Sequence, residues 1–291
     1  MALFDNDFLT RLEYLSIVSR KVFRGQLMAQ RRTKQLGGGI EFADHRQYTP
    51  GDDFRYLDWN LYARHDELLL KRFQEEEDLH VYLLLDCSRS MSTGEPPKFD
   101  LARQVTAALA YIALADLDRI SVYAFANGVL NHFPLTRGKA RILSLMQFLE
   151  SLDADGGATD MAQFAEDFVI RAPRRGLALV LSDLYDPAGY RVGLDVLRHH
   201  KYEPHIVQFH HSAEANPKML GDVELQDVEN GDFRKLTVTE SHLRSYRDVF
   251  QAFLTSVTEY CSAYGIGCTI TDTNVTFDQL VLGMMRAAGT K

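Results

Sequence analysis

The sequence predicts an α/β protein with a doubly wound, mostly parallel sheet. Two observations lead to this prediction. From Leu79 onward, short and nearly continuous apolar runs alternate with segments whose apolar residues recur at spacings of three and four. The runs are typical of strands buried on both faces of a parallel sheet, and the segments between them are typical of helices. Strands separated by helices predict βαβ crossovers within one open sheet.

The elements of this sheet can be assigned in chain order. The predicted strands cover residues 79–86, 120–126, 177–183, 204–210 and 267–273. The predicted helices cover residues 99–117, 139–152, 160–172, 189–200 and 241–265. One insertion, at about residues 217–239, departs from the alternation because Asn230-Gly231 stands between two β-like runs, which is a strong signal for a hairpin.

The first 78 residues follow a different pattern. An amphipathic helix that ends near Gly25 is predicted by apolar residues at helical spacing, namely Phe8, Leu12, Leu15, Val18 and Val22. We interpret the basic stretch from Arg20 to Lys34 as a solvated arm. A turn signal at residues 49–52 and strand-like runs predict a small β-rich leader, which the hairpin is expected to join in one subdomain. We therefore predict two domains, residues 1–78 and residues 79–291.

Charged residues of both signs interleave in this leader. They are Asp44, His45, Arg46, Asp52, Asp53, Arg55, Asp58 and Arg64. Such a mixture favours networks of salt bridges over a second metal cluster. Trp59, the only tryptophan of the chain, is predicted to anchor the core of the leader.

Composition excludes several classes of protein. A formal net charge of −8 argues against wholesale binding of nucleic acid or of an anionic membrane. The three cysteines are odd in number and form no CxxC pair, so neither a disulfide framework nor a zinc ribbon is indicated. We find no signal peptide and no run of about 20 apolar residues that would span a bilayer. The expected compartment is the cytoplasm.

Polar residues follow the first strand of the sheet at every second position. Asp86, Ser88 and Ser90 alternate directly after that strand, Thr159 follows two glycines at the start of a helix, and Asp183 ends a later buried strand. In open α/β sheets, ligands bind beyond the carboxyl ends of the strands, near the point where the strand order reverses. Oxygen ligands with few charges suit Mg²⁺ or Mn²⁺. Each residue alone could instead cap a turn or a helix.

These five residues resemble the metal-ion-dependent adhesion site of von Willebrand factor A domains, a Rossmann-like fold, and they stand in the expected chain order. The segment from Glu41 to Phe73 is similar to the leader of the bacterial domain-of-unknown-function family 58. The resemblance implies a binding role in which the metal accepts a Glu or Asp carboxylate from a protein partner. Because family members are commonly encoded beside MoxR-type AAA+ ATPases, it also implies an adaptor to such an ATPase in remodelling other proteins.

The alternative is a Mg²⁺-dependent hydrolase. A carboxylate after a first strand and a second aspartate after a later one also describe haloacid-dehalogenase-type phosphatases. Those enzymes use Asp-x-Asp, whereas Ser88 occupies the second acidic position here. No lysine stands in an obvious motif position to bind a transferring phosphate, and the GxSxG and GxxxxGK[ST] motifs are absent. We therefore expect a binding module without catalytic residues.

Overall fold

The computed structural model of the protein describes residues 3–31, 36–37, 41–74, 80–116, 118–228 and 231–289, without the side chains of residues 19–43, 72–74 and 288–289. The chain forms two compact units. Met1–Arg20 and Leu79–Lys291 make up the large unit, and Lys21–Asp78 makes up the small unit. The first twenty residues thus belong with the large unit, although they precede the leader in the sequence.

The structure contains the following helices and strands. The helices are α1 (Asn6–Arg31), α2 (Trp59–His65), α3 (Lys98–Ala115), α4 (Ile142–Glu150), α5 (Met161–Arg171), α6 (Arg191–His199), α7 (Ser212–Ala215), α8 (Glu240–Ala263) and α9 (Phe277–Gly289). The strands are β1 (Leu36–Gly37), β2 (Glu41–Gln47), β3 (Leu69–Gln74), β4 (His80–Asp86), β5 (Arg119–Phe125), β6 (Val129–Arg137), β7 (Leu177–Ser182), β8 (Glu203–His210), β9 (Gly221–Gln226), β10 (Phe233–Val238) and β11 (Gly267–Asp272).

A six-stranded sheet organises the large unit, in the order β11-β8-β7-β4-β5-β6. All neighbouring strands are parallel except β5 and β6. The five predicted strands are therefore confirmed, and so is the mixed α/β class with a mostly parallel sheet. Strand β6 was not predicted. Its side chains are mostly exposed and it contains Pro134, a combination that occurs at sheet edges and weakens the sequence signal for a strand.

Helices cover both faces of this sheet. On one face, Tyr82 and Leu84 of β4 share a buried cluster with residues of α5, α6 and α8. On the other face, α3 packs against β4, β5, β7 and β8, and α9 packs against α3. Strand β4 is buried along its whole length, as expected for the centre of a doubly wound sheet.

Helix α1 begins as predicted and ends later. Phe8, Leu12 and Leu15 are buried, and the Phe8 ring lies 4.5 Å from the ring of Phe277. The helix continues past Gly25 to Arg31, so the predicted end near Gly25 is wrong. The side chains of the basic stretch from Arg20 to Lys34 lie outside the described residues.

The hairpin insertion is confirmed, and it groups with the large unit. Strands β9 and β10 pair in antiparallel register, and Gly231 adopts a positive φ of 78° at the turn, while Asn230 lies outside the described residues. The hairpin belongs to the large unit and forms a sheet of its own, separate from the β1-β3-β2 sheet of the small unit. The small unit, as the chain divides by its internal contacts, therefore does not include the hairpin.

The small unit contains the predicted turn and ion pairs. The Asp52 N–H donates to the Thr49 carbonyl, and Gly51 has a φ of 106°, as a turn with glycine at its third position requires. Salt bridges join Arg46 to Asp52, Arg55 to Asp53, and both His45 and Lys71 to Asp58. The prediction for Trp59 is wrong. The residue begins α2, and 60% of its surface is exposed. Among the described side chains of this unit, Leu57 and Leu70 are the buried large apolar ones.

Candidate metal site

The candidate site lies where the strand order reverses. Strand β4 pairs with β5 on one side and with β7 on the other, so the loops after β4 and β7 leave the sheet from adjacent strands. Leu85 pairs with both Ala124 and Leu181 at this end of the sheet. A crevice of this kind is where open α/β sheets bind ligands. All five predicted residues are buried here, namely Asp86, Ser88, Ser90, Thr159 and Asp183.

Asp86 is the centre of the cluster. One carboxylate oxygen, Oδ1, accepts the Ser88 backbone N–H at 2.9 Å. The other, Oδ2, accepts the Thr159 hydroxyl at 3.4 Å and the Ser182 hydroxyl at 2.5 Å. The Ser88 and Ser90 hydroxyl oxygens lie 3.1 Å apart. Four of the predicted residues are thus joined by direct contacts, and Ser182 joins them as a residue that sequence reasoning missed.

The capping alternatives do not describe these hydroxyls. Ser88 precedes a 3-10 turn at Arg89–Ser92, and its side chain makes no capping hydrogen bond there. Helix α5 is capped by Asp160, whose carboxylate accepts the Gln163 N–H at 2.9 Å. Thr159 therefore has no capping role and its hydroxyl is directed to Asp86. Neither Ser88 nor Thr159 therefore caps the element that follows it.

Two glycines allow the Thr159 loop to reach the Asp86 loop. The Gly156 N–H donates to the Cys87 carbonyl at 3.0 Å, and a Cβ at Gly156 would lie 2.7 Å from the Leu130 side chain. Gly157 has a φ of 82°, which favours glycine, and its carbonyl accepts the Arg89 N–H. A Cβ at Gly156 would also lie 3.0 Å from the Cys87 carbonyl oxygen, so a side chain at Gly156 would crowd the approach of the two loops. These glycines therefore set the distance between Thr159 and Asp86.

Asp183 follows β7 in a strained turn. Leu184 has a φ of 62°, an unfavourable conformation for a residue with a branched side chain, and it is held there in part by its N–H bond to the Ser182 hydroxyl. The Tyr185 N–H donates to Asp183 Oδ1 at 3.1 Å. Backbone strain of this kind persists where surrounding contacts fix it, and it is frequent at functional sites.

A buried lysine binds the other oxygen of Asp183. The Lys98 ammonium donates to Asp183 Oδ2 at 2.8 Å and to Glu214 Oε1 at 2.6 Å, and its side chain has no exposed surface. This lysine was not singled out from the sequence as a residue of the site. Lys98 is the first residue of α3, where the helix dipole disfavours a cation, but the predicted helix begins one residue later, so the sequence carries no signal for this contact. Glu214, on the short helix α7, gave none either.

The electrostatics of the cluster follow from burial. Burial raises the pKa of Asp86 to about 7, and the charge of Asp183 adds to this rise, while hydrogen bonds from Ser182 and Ser88 oppose it. Burial by itself would lower the pKa of Lys98, but the charges of Asp183 and Glu214 outweigh it and raise that pKa. Burial also raises the pKa of the Cys87 thiol, which agrees with a packing role for this residue.

The donor set fits a hard divalent cation. It consists of oxygen atoms from two carboxylates and several hydroxyls, and Mg²⁺ and Mn²⁺ prefer such ligands. Within the described ranges, no three side chains of His, Cys, Asp or Glu converge on one point. The hydroxyls would therefore supply most of the protein ligands. Three carboxyl groups (Asp86, Asp183 and Glu214) and one ammonium (Lys98) leave two negative charges unmatched when all four are ionised.

Comparison with protein families identifies the chain. The family model described as "Protein of unknown function DUF58" matches residues 44–255. The chain belongs to the DUF58 family. The match spans the second part of the small unit, β4 to β8, the hairpin and most of α8, and thus includes every residue of the candidate site.

Curated proteins of two mycobacterial species are similar to this chain over 69% of its length. Uncharacterized proteins of Mycobacterium tuberculosis and Mycobacterium bovis are 26% identical over 207 residues, which are 69% of this chain. The match covers 65% of the length of these relatives.

Two solved structures also match. The conserved hypothetical protein BatB of Bacteroides thetaiotaomicron is 13% identical with a TM-score of 0.46, over 73% of this chain and 100% of that one. An aerotolerance-related membrane protein of Bacteroides fragilis is 15% identical with a TM-score of 0.45, over 73% and 98% of the two chains. None of the helices described in the present structure has the length and hydropathy of a bilayer-spanning segment.

Proposed function

We propose that this DUF58 protein is a non-enzymatic, metal-dependent protein-binding module. The observation that supports it most is the convergence of Asp86, Ser88, Ser90 and Thr159 beside the β4–β7 crevice, with hydroxyls that cap nothing. In this proposal, the site is of the adhesion type found in von Willebrand factor A domains. Asp86, Ser88, Ser90, Thr159 and Asp183 would hold Mg²⁺ or Mn²⁺, directly or through water.

The chemistry of the site favours binding over turnover. When bound, the cation supplies an electrophilic position that attracts a carboxylate from outside. Three of the five proposed ligands are neutral hydroxyls, and a metal that Asp86 and Asp183 hold partly through water keeps an exchangeable position for such a carboxylate. A Glu or Asp of a partner protein is the group that fits such a position. Binding of the partner would then require the metal.

Lys98 bears on the hydrolase alternative, because a lysine beside a metal site could bind a phosphate. A transferring phosphate would need a cation that faces it. The Lys98 ammonium has no exposed surface, and both of its described bonds go to carboxylates of the chain. The Cys87 thiol is also buried, and burial keeps it protonated. Neither residue presents an activated group to a substrate, which supports the binding role.

The partner class in this proposal is a MoxR-type AAA+ ATPase, for which the chain would serve as an adaptor during remodelling or assembly of other proteins. The resemblance of the site and the leader supports this choice. The test is affinity capture of the full chain from its native cells, with Mg²⁺ or with EDTA. We expect an AAA+ ATPase in the Mg²⁺ sample only, and loss of capture by Asp86→Asn.

Asp160→Asn provides the matched control, because it removes a nearby carboxylate of α5 while asparagine still caps the helix. This variant should capture the ATPase as the wild-type protein does. Capture that is equal in EDTA and Mg²⁺ would contradict the metal-dependent role. Metal-dependent hydrolysis of a generic phosphoester, lost in Asp86→Asn, would favour the hydrolase instead.

A further inference from the structure

The chain already provides a cation at the candidate metal site. The Lys98 ammonium lies between two carboxylates, 2.8 Å from Asp183 Oδ2 and 2.6 Å from Glu214 Oε1. The Lys98 side chain is fully buried, and 21% of the Glu214 side chain is exposed. Asp183 is thus occupied by donors at both oxygens, because Tyr185 N–H binds Oδ1. A divalent cation that uses Asp183 must compete with the ammonium for this carboxylate.

We propose that Lys98 is the resident counter-cation of Asp183 and that it sets the metal affinity of the site. Metal and ammonium exclude each other at Asp183, and Glu214 is the carboxylate that keeps the ammonium compensated while the metal is bound. The inference rests on the proposed function, because it concerns the regulation of that same site. Lys98 affects metal binding through its contact with Asp183 and not as a ligand, so it is a positioning residue.

The surroundings of Glu214 suit it for this role. Its Oε1 atom also accepts the Thr93 hydroxyl at 3.2 Å, and its Oε2 atom accepts the His211 N–H at 2.9 Å. The Tyr185 hydroxyl donates to Oε2 at 3.4 Å. These donors come from three different segments and fix the carboxylate whether or not Lys98 also contacts Asp183. The ammonium therefore has a stable partner on the side away from Asp183.

Burial makes the competition strong. Charges that are removed from solvent are screened weakly, so an ammonium in contact with Asp183 repels a divalent cation at the same carboxylate. Removal of the ammonium leaves Asp183 and Glu214 close together without a counter-charge, which favours a cation. Neutralising Glu214 has the opposite effect, because the displaced ammonium then has no second carboxylate to bind.

The test uses the full chain from which metal has been stripped with EDTA. The chain is titrated with Mn²⁺ alone, and calorimetry measures the binding. Lys98→Met should bind Mn²⁺ at least about tenfold more tightly than the wild-type protein. Glu214→Gln should bind it more weakly than wild type. Lys235→Met, which removes an exposed lysine of the hairpin, should bind Mn²⁺ as wild type does. If Lys98 and Glu214 only supported the structure of the site, both variants would bind Mn²⁺ more weakly than wild type. Tighter binding by Lys98→Met and weaker binding by Glu214→Gln therefore indicate the competition.

Thermal unfolding with and without Mn²⁺ gives a second readout. Lys98→Met without metal should unfold at a lower temperature than wild type, because two carboxylates lose their partner, and Mn²⁺ should raise its unfolding temperature more than that of wild type. If the wild-type protein binds Mn²⁺ and Lys98→Met binds it no more tightly, this inference is wrong and the proposed function is unaffected. Absence of Mn²⁺ binding in wild type and in every variant would overturn both.

Discussion

The Ser182 hydroxyl donates a hydrogen bond of 2.5 Å to Asp86 and thereby joins the end of β7 to the end of β4. The same hydroxyl accepts the Leu184 N–H at 2.8 Å and so holds the strained turn that carries Asp183. One buried side chain thus contacts the Asp86 carboxylate and the backbone of the turn that follows Asp183. Its removal should affect the stability of the protein as well as the site.

We expect Ser182→Ala to lower the free energy of unfolding by about 1–3 kcal/mol, because a buried carboxylate and a backbone N–H lose a partner. Urea unfolding of the metal-free protein measures this change. Ser151→Ala removes an exposed serine hydroxyl that binds a carbonyl of α4, and it should cost less than about 0.5 kcal/mol. Equal stability of Ser182→Ala and Ser151→Ala would show that the contact contributes nothing.

The raised pKa of Asp86 predicts a pH dependence of stability. Between its unfolded pKa, near 4, and its folded pKa of about 7, the folded state binds the proton more tightly than the unfolded state does. The stability that this group contributes is therefore present at low pH and is lost as pH rises through about 7. In the metal-free protein, Asp86→Asn should gain stability relative to wild type between pH 5 and pH 8.

Comparison with Asp86→Asn removes the contributions of other titrating groups, such as His210, whose pKa is lowered by burial. Chemical unfolding at several pH values in EDTA measures the difference between the two proteins. A difference that is constant from pH 5 to pH 8 would mean that Asp86 does not titrate in this range.

Much of the fold follows from local sequence patterns. The five parallel strands were predictable because burial on both faces requires continuous apolar runs, as in β4 and β7. Strand β6 was not predicted because one side of an edge strand faces solvent and Pro134 is tolerated there. The sequence predicts the hairpin because pairing within it is local, but it does not show that the hairpin groups with the large unit, since that depends on residues distant in the chain.

Residues of the site were predictable only where side chains with oxygen ligands lie at the end of a predicted strand or the start of a predicted helix. Asp86, Ser88 and Ser90 follow one strand and their alternation is visible in the sequence. Tertiary structure brings Lys98 and Glu214 together beside Asp183. Lys98 lies 85 residues before Asp183 in the chain and 116 residues before Glu214. Neither lies at the end of a strand pattern. Ser182 directly precedes Asp183 and could have been considered as a further hydroxyl of the same loop.

Trp59 gives a direct test of the small unit. Because its side chain is exposed and it is the only tryptophan, iodide should quench the fluorescence of the native protein nearly as well as that of the unfolded chain. Trp59→Ala should cost less than about 1 kcal/mol of stability, whereas Leu70→Ala, at a buried position, should cost about 2–5 kcal/mol. Strong protection of Trp59 from iodide would contradict the exposed position.

The cysteines should differ in reactivity. Cys87 and Cys261 are buried, and burial raises the pKa of the Cys87 thiol. The hydrogen bond between Cys261 and Cys268, together with burial, raises the pKa of Cys261, whereas the same hydrogen bond lowers the pKa of the partly exposed Cys268. Ellman's reagent should therefore modify one thiol rapidly in the native protein, and Cys268→Ser should abolish that phase. Rapid modification that persists in Cys268→Ser but disappears in Cys87→Ser would contradict the packing role of Cys87.

The central claim is that Asp86 and the hydroxyls around it hold a divalent cation. Calorimetric titration of the EDTA-stripped full chain with Mn²⁺ tests this claim most directly, with the wild-type protein compared with Ser88→Ala combined with Ser90→Ala. We predict saturable binding of one Mn²⁺ per wild-type chain and its loss in the double variant, which retains every carboxylate. Binding that is unchanged in the double variant, or absent in wild type up to millimolar Mn²⁺, would contradict the claim.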